Sequence, residues 1–210
     1  MVTIYHLKNS RSERIVWLME ELGAPYEIEV FERQADLRAP EALAEIHPLG
    51  KSPVIRDGNV VLAESGAIIE YLLARHGGGR LTVTPDDPSY ASYLYWFHFA
   101  EGSALGMLTS RLVHKLLTQA GAPQVPFVEE YVNGTIEAHL AHMDSTLAKS
   151  PYFAGEDFTA ADIMMMFVFE TSERFLGEPL AAFPSITAYR TRISDRAAYA
   201  KAMQVTGMAE

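Results

Sequence analysis

The stretch "VTIYHLKNSRSERIVWLMEELGAPYEIEVF" (residues 2–31) decides the fold. Its first part, "VTIYHL" (2–7), is rich in β-branched and aromatic residues and reads as a strand. Residues 11–23 carry Ile15, Leu18, Met19 and Leu22 on one stripe, with Gly23 as a stop, and predict a helix. "YEIEVF" (26–31) alternates and predicts a second strand. Residues 40–46 predict a short helix. "PVIRDGNVVL" (53–62) is two short apolar runs joined by Asp57-Gly58-Asn59, the pattern of a hairpin. "SGAIIEYLLARHG" (65–77) predicts a helix ended by glycines. Strand, helix, strand, helix, hairpin and helix in that order build a small mixed sheet with helices on its faces.

Gly77-Gly78-Gly79, then Pro85 and Pro88, break the pattern. Residues 1–80 are therefore expected to form an α/β domain and 81–210 an all-helical one. In the second, the pattern predicts one long helix over 88–120, kinked near Gly102 and Gly106, and another over 126–148. An apolar helix follows at 159–175, and two shorter ones near 184–194 and 196–203.

The 210 residues include 17 Lys and Arg against 27 Asp and Glu, a formal charge of −10. That surface disfavours nucleic acid and anionic membranes as partners. No apolar run reaches the roughly 18 residues of a membrane span. "MVTIYHLKN" has neither the basic region nor the cleavage site of a signal peptide, so a cytoplasmic location is expected. There are no cysteines. A protein disulfide, a thiolate metal site and a cysteine nucleophile are all excluded.

The joint "LKNSRSER" (7–14) is strongly polar. Ser10-Arg11-Ser12-Glu13 fits a capping box, and a serine there has a purely structural use. The same helix start offers unpaired N–H groups and the positive end of the dipole, which suits an anion. A hydroxyl beside it can donate to a thiolate. A free thiol of pKa near 8.5 is about 3% ionised at pH 7, and lowering that pKa by two units takes about 2.7 kcal/mol. With no cysteine in the chain, such a thiol must arrive on a small molecule. "GKSPVI" (50–55) puts Pro53 at a strand start, beside a Ser52 backbone able to pair with an extended peptide. "AESGAII" (63–69) puts Glu64 and Ser65 at a helix start, an acceptor for an ammonium group and a donor to a carboxylate. Together these pieces outline a receptor for a zwitterionic peptide that carries a thiol.

The chain resembles glutathione transferases along essentially its whole length. "YHLKNSRSERIVWLMEELGAPYEI" is similar to the first strand, helix and second strand of bacterial and fungal members, and "HPLGKSPVI" to the segment with the cis-proline. "LAESGAIIEYL" is similar to the γ-glutamyl-binding segment, and "YFAGEDFTAADIMM" to the start of the second domain's central helix. The resemblance implies a thioredoxin-like first domain, an all-α second domain, a homodimer and glutathione as cosubstrate, with no metal. Carried over by residue, it puts Lys51, Ser52, Pro53, Glu64 and Ser65 on glutathione. It leaves the activating residue among Ser10, Asn9 and Tyr5, with Ser10 favoured. It implies a second-substrate pocket from Phe99, Ser103, Met107 and Arg111 in the cleft between domains, and a cross-subunit role for Glu101. The expected reaction joins the glutathione thiolate to a hydrophobic electrophile. The alternatives are a ligandin-like binder and a glutathione-dependent peroxidase or reductive enzyme. Thr159 and Asp162 read as a folding cap, and Met164, Met165 and Met166 as core. His139 and His142, one turn apart, lack the further ligands of a metal site.

Overall fold

A computed structural model of the chain describes residues 1–36, 38–177 and 180–207. It divides into two units, Met1–Thr82 together with Ile193–Glu210, and Val83–Arg192.

In the first unit, β1 (Val2–Leu7) leads through α1 (Glu13–Leu22) to β2 (Tyr26–Phe31). Then come α2 (Ala42–Ile46), β3 (Val54–Asp57), β4 (Val60–Ala63) and α3 (Ser65–Leu72), which continues as a π-helical turn over Leu73–Gly77. The sheet order is β2-β1-β3-β4. β1 pairs parallel with β2 and antiparallel with β3, in the register Tyr5 opposite Val54. This is the thioredoxin-like arrangement, a mixed four-stranded sheet. Side chains alternate across β1, and both faces are buried. Tyr5 and Leu7 pack with Leu43 and Val54 on one side. Val2, Ile4 and His6 point the other way and are buried too. The hairpin turn uses Gly58 at φ 58°, a conformation open to glycine.

The second unit begins with α4 (Tyr90–Phe99), a π-helical segment over Ala100–Leu105, and α5 (Gly106–Gln119). The long helix expected over 88–120 is thus interrupted. The wider π turn rotates every later side chain by about one residue, roughly 100°, relative to those before it. Next are α6 (Pro126–Leu147) and α7 (Ala160–Thr171), which ends in a second π segment, Ser172–Leu176. Every residue of α7 is buried, including the three methionines, as expected for a central helix. Its capping box is closed. Asp162 Oδ2 accepts from the Thr159 N–H (2.9 Å) and hydroxyl (3.2 Å), and Oδ1 from the Phe153 N–H (3.0 Å) and the Tyr189 hydroxyl (3.3 Å).

α8 (Pro184–Ser194) carries the chain out of the second unit, which ends at Arg192, and α9 (Ala197–Val205) belongs to the first. The expectation of one helical domain over 81–210 is corrected for this last stretch. The reason lies on the polar side of α1. Glu21 takes two hydrogen bonds from Arg196 (2.7 and 2.8 Å), Glu20 pairs with Lys201 (2.7 Å), and Trp17 meets Tyr199 edge-on at 5.0 Å.

Candidate functional site

The polar joint is a tight turn between β1 and α1. Asn9 has φ 55°, a left-handed conformation that Asn tolerates better than most residues. Arg33, just beyond β2, donates to the carbonyls of Lys8 (3.1 Å) and Asn9 (2.7 Å) and so holds that turn. Burial pulls the Arg33 guanidinium below its usual range. The Asn9 side chain is exposed and makes no hydrogen bond to another described residue.

Ser10 is placed differently. It is 7% exposed. Its N–H donates to Glu13 (3.2 Å), which is one half of the expected capping box. Its Oγ accepts from the Ser12 N–H (3.2 Å) rather than from Glu13, and the helix proper starts only at Glu13. The Ser10 and Ser12 hydroxyls lie 2.8 Å apart. Ser12 Oγ is also 2.7 Å from His6 Nδ1, and His6 Nε2 is 3.3 Å from the Thr206 carbonyl.

The direction of this chain follows from its far end. A carbonyl only accepts, so His6 Nε2 carries the hydrogen. Burial lowers the His6 pKa from 6.5 to about 4, so the ring is neutral and Nδ1 can only accept. The Ser12 proton therefore goes to His6, in preference to the Leu7 carbonyl at 3.3 Å. That leaves Ser10 as the donor to Ser12. The Ser10 proton is already used inside the protein. Tyr5, the third candidate, turns into the α2-side core, where its hydroxyl accepts from Arg56 (2.9 Å).

Ser52-Pro53 is a cis peptide immediately before β3. Pro53 has no N–H, and the β1–β3 ladder stops at Tyr5 and Val54. The Ser52 side chain finishes the edge by donating to the Tyr5 carbonyl (3.1 Å) and accepting from the Leu7 N–H (3.4 Å). Lys51 is exposed beside it.

At the start of α3, Glu64 is exposed and held at φ 73°, ψ 120°. A non-glycine residue in so rare a conformation stores about 1–3 kcal/mol and marks a site the fold over-determines. Ser65 is 3% exposed, and its Oγ accepts from Arg14 Nη2 (3.2 Å). Its own proton enters no hydrogen bond with a described residue. Arg14 is itself buried, which places a guanidinium beneath the first turn of α3. Sequence reasoning passed over Arg14, Arg33 and His6. Arg14 had a signal, since it continues the apolar stripe of Leu18 and Leu22 at steps of four. Arg33 had none in the local pattern.

The four second-substrate candidates are spread along α4, the π segment and α5. Phe99 is 8% exposed and packs its ring on Tyr95, Trp96 and His139. Ser103, Met107 and Arg111 lie on or after the π segment and are half-buried. An open groove of about 630 Å³ in the second unit is lined by Tyr95, Trp96, His142 and Phe153, and by none of the four. His139 and His142 are stacked among these aromatics.

Residues 1–74 match the family model of the glutathione S-transferase N-terminal domain, and residues 119–197 that of the C-terminal domain. The chain belongs to the glutathione S-transferase family. Glutathione S-transferase 3 of Schizosaccharomyces pombe is 37% identical over 210 residues, 94% of this chain and 85% of that protein. A crystal structure of a glutathione S-transferase from Actinobacillus pleuropneumoniae superposes with a TM-score of 0.86 at 33% identity, over 99% of this chain and 93% of the other. A glutathione transferase from Phanerochaete chrysosporium, solved with oxidised glutathione, shares the fold at a TM-score of 0.80 and 24% identity, over 98% and 96% of the two chains.

Proposed function

We propose that this glutathione S-transferase family member binds glutathione on its first unit, lowers the pKa of the bound thiol, and joins the thiolate to a hydrophobic electrophile. The observation that carries the reading is the start of α3. There a buried Ser65 hydroxyl accepts from a buried Arg14 guanidinium and keeps its proton to give away. The first-turn amides of α3 face the same end, and the helix has no acidic residue in that turn. Charge, dipole and donor all favour a carboxylate. Exposed Glu64 beside it suits the ammonium group of the same γ-glutamyl moiety. The Ser52 backbone suits the cysteinyl part by strand addition, and Lys51 the glycyl carboxylate.

For the thiol, Asn9 is the residue we put first and Ser10 second. Asn9 is exposed and its amide hydrogens are unspent, whereas Ser10 would have to break its bond to Ser12 to donate. The thiol loses its proton to solvent. The sulfur lone pair then forms the new S–C bond while the leaving group departs with its electron pair, and the protein contributes positioning and thiolate stabilisation. Ser103, Met107 and Arg111 are the proposed electrophile-binding side chains.

We also propose a homodimer in the cytoplasm. Exposed Tyr95, Phe127 and Tyr131 in the helical unit, and Val60 and Val61 on the edge strand β4, are apolar surface that self-association would cover.

Titration calorimetry of Ser65→Ala with glutathione tests the carboxylate site. Loss of a hydrogen bond to a charged group, about 1.5–3 kcal/mol, weakens binding about ten-fold or more. Unchanged affinity would remove Ser65 from the site. Product analysis with an electrophile panel and a hydroperoxide then decides the reaction. Only oxidised glutathione as product would replace conjugation by peroxide reduction.

A further inference from the structure

We propose that the C-terminal segment holds the thiol loop in shape from behind, through His6, a positioning residue that never touches glutathione. The inference rests on the reading of residues 9–12 as the thiol site.

His6 stands in β1 where the strand pattern would accept an aliphatic side chain, and it is fully buried. A buried imidazole has to satisfy two nitrogens. One meets the carbonyl of Thr206, 200 residues along the chain, and the other meets Ser12. Because the carbonyl fixes the hydrogen on Nε2, it also fixes the direction of each bond that follows, Ser12 to His6 and Ser10 to Ser12. The two hydroxyls are thereby drawn inward, and Asn9 is the loop residue left facing solvent.

Thr206 is itself held. Its N–H and hydroxyl both donate to the Ala202 carbonyl (2.9 and 2.8 Å) at the end of α9. The ion pairs of Arg196 and Lys201, and the contact of Tyr199 with Trp17, dock α9 on α1. The loop therefore has its own helix on one side and the C-terminal segment on the other. His6 is not the thiol's base, because its ring, at about 4, is far less basic than a thiolate. Without His6 Nδ1, the Ser12 proton can turn to the Leu7 carbonyl or to Ser10, and the direction of the Ser10–Ser12 bond is no longer fixed.

The test follows bound-thiolate absorbance against pH in the wild type, His6→Leu, His6→Asn and a chain ending at Val205. His6→Leu and the shortened chain are expected to raise the bound-thiol pKa by about one unit, the equivalent of one displaced charge-assisted hydrogen bond. His6→Asn keeps an acceptor near the Nδ1 position and should recover part of the shift. If His6→Leu lowers only the melting temperature and leaves the thiol pKa in place, His6 is a core residue and the inference is overturned, while the glutathione reading stands. If the wild type shows no thiolate signal, the glutathione reading fails and takes this one with it. Should His6→Leu not fold, the shortened chain and the nitrogen NMR spectrum of wild-type His6 decide. The Nε2–H tautomer supports the chain as drawn, and the Nδ1–H tautomer overturns it.

Discussion

Asn9 and Ser10 are neighbours with opposite surroundings, one exposed in a left-handed turn and one buried in a hydrogen-bond chain. The two variants should separate accordingly. Asn9→Ala is expected to raise the pKa of bound glutathione by about 1–2 units, the worth of a hydrogen bond to a charged group. Ser10→Ala should cost about 1 kcal/mol of stability, as loss of a cap does, and move the thiol pKa less. Ultraviolet titration of the bound thiolate reads both, and the reverse order would return the role to Ser10. His6 gives a second prediction. Its folded pKa, about 4, lies below the unfolded 6.5, so the fold holds the neutral ring. Its contribution to stability is complete above pH 6.5 and is lost as pH falls from 6.5 towards 4. The His6 ring protons should therefore show no titration near pH 6.5 by NMR. A midpoint there would mean that the ring is solvated and the chain to Ser12 broken. The candidates at the joint were legible as residue types that serve caps and anions. Which of them keeps a usable proton was not legible, because that depends on a carbonyl 200 residues away.

Secondary-structure elements were read well where one periodicity held throughout. β1, β2 and the hairpin follow from alternation and turn chemistry, and α1 from its stripe and Gly23. The π segment at Ala100–Leu105 falls where Gly102 and Gly106 suggested a kink, without the sequence naming its kind, and that at Ser172–Leu176 leaves no comparable mark. One inserted residue in a turn changes the phase of side chains but not their composition, so the half-buried Ser103, Met107 and Arg111 are told from the buried Phe99 only in the structure. The cap of α7 was legible in full, since Thr159 and Asp162 are local to each other. Both Asp162 oxygens face a backbone N–H, so an amide at this position must present its NH₂ to another donor. Asp162→Asn should lower stability by about 2 kcal/mol or more by chemical denaturation. Burial raises the Asp162 pKa from 3.8 to about 6, against the donors that favour the charge. The fold thus prefers the protonated form, and this term's stability falls as pH rises from about 4 to 6, opposite in sign to that of His6. An unchanged denaturation midpoint for Asp162→Asn would contradict the closed box.

For the molecule as a whole, the order of elements made the thioredoxin-like unit and the helical unit legible, but not the return of the chain end to the first. That return depends on Glu20, Glu21 and Trp17, which lie off the stripe of Ile15, Leu18, Met19 and Leu22 and meet partners about 180 residues further along the chain. The homodimer is checked by light scattering at micromolar concentration, where about twice the chain mass of 23.3 kDa is expected. A monomer would leave Phe127, Tyr131, Val60 and Val61 without the proposed cover. Ser65→Ala should lower the melting temperature as well as glutathione affinity, because it strips the buried Arg14 of an acceptor. Arg14 and Ser65 thus tie ligand binding to the stability of the first unit. The most direct test of the central claim is the ultraviolet titration of glutathione bound to the wild-type protein. A cysteine-free chain that stabilises a thiolate should give a bound-thiol pKa about two units below the free value near 8.5. A bound thiol that still titrates near 8.5, or no bound glutathione at all, would contradict it.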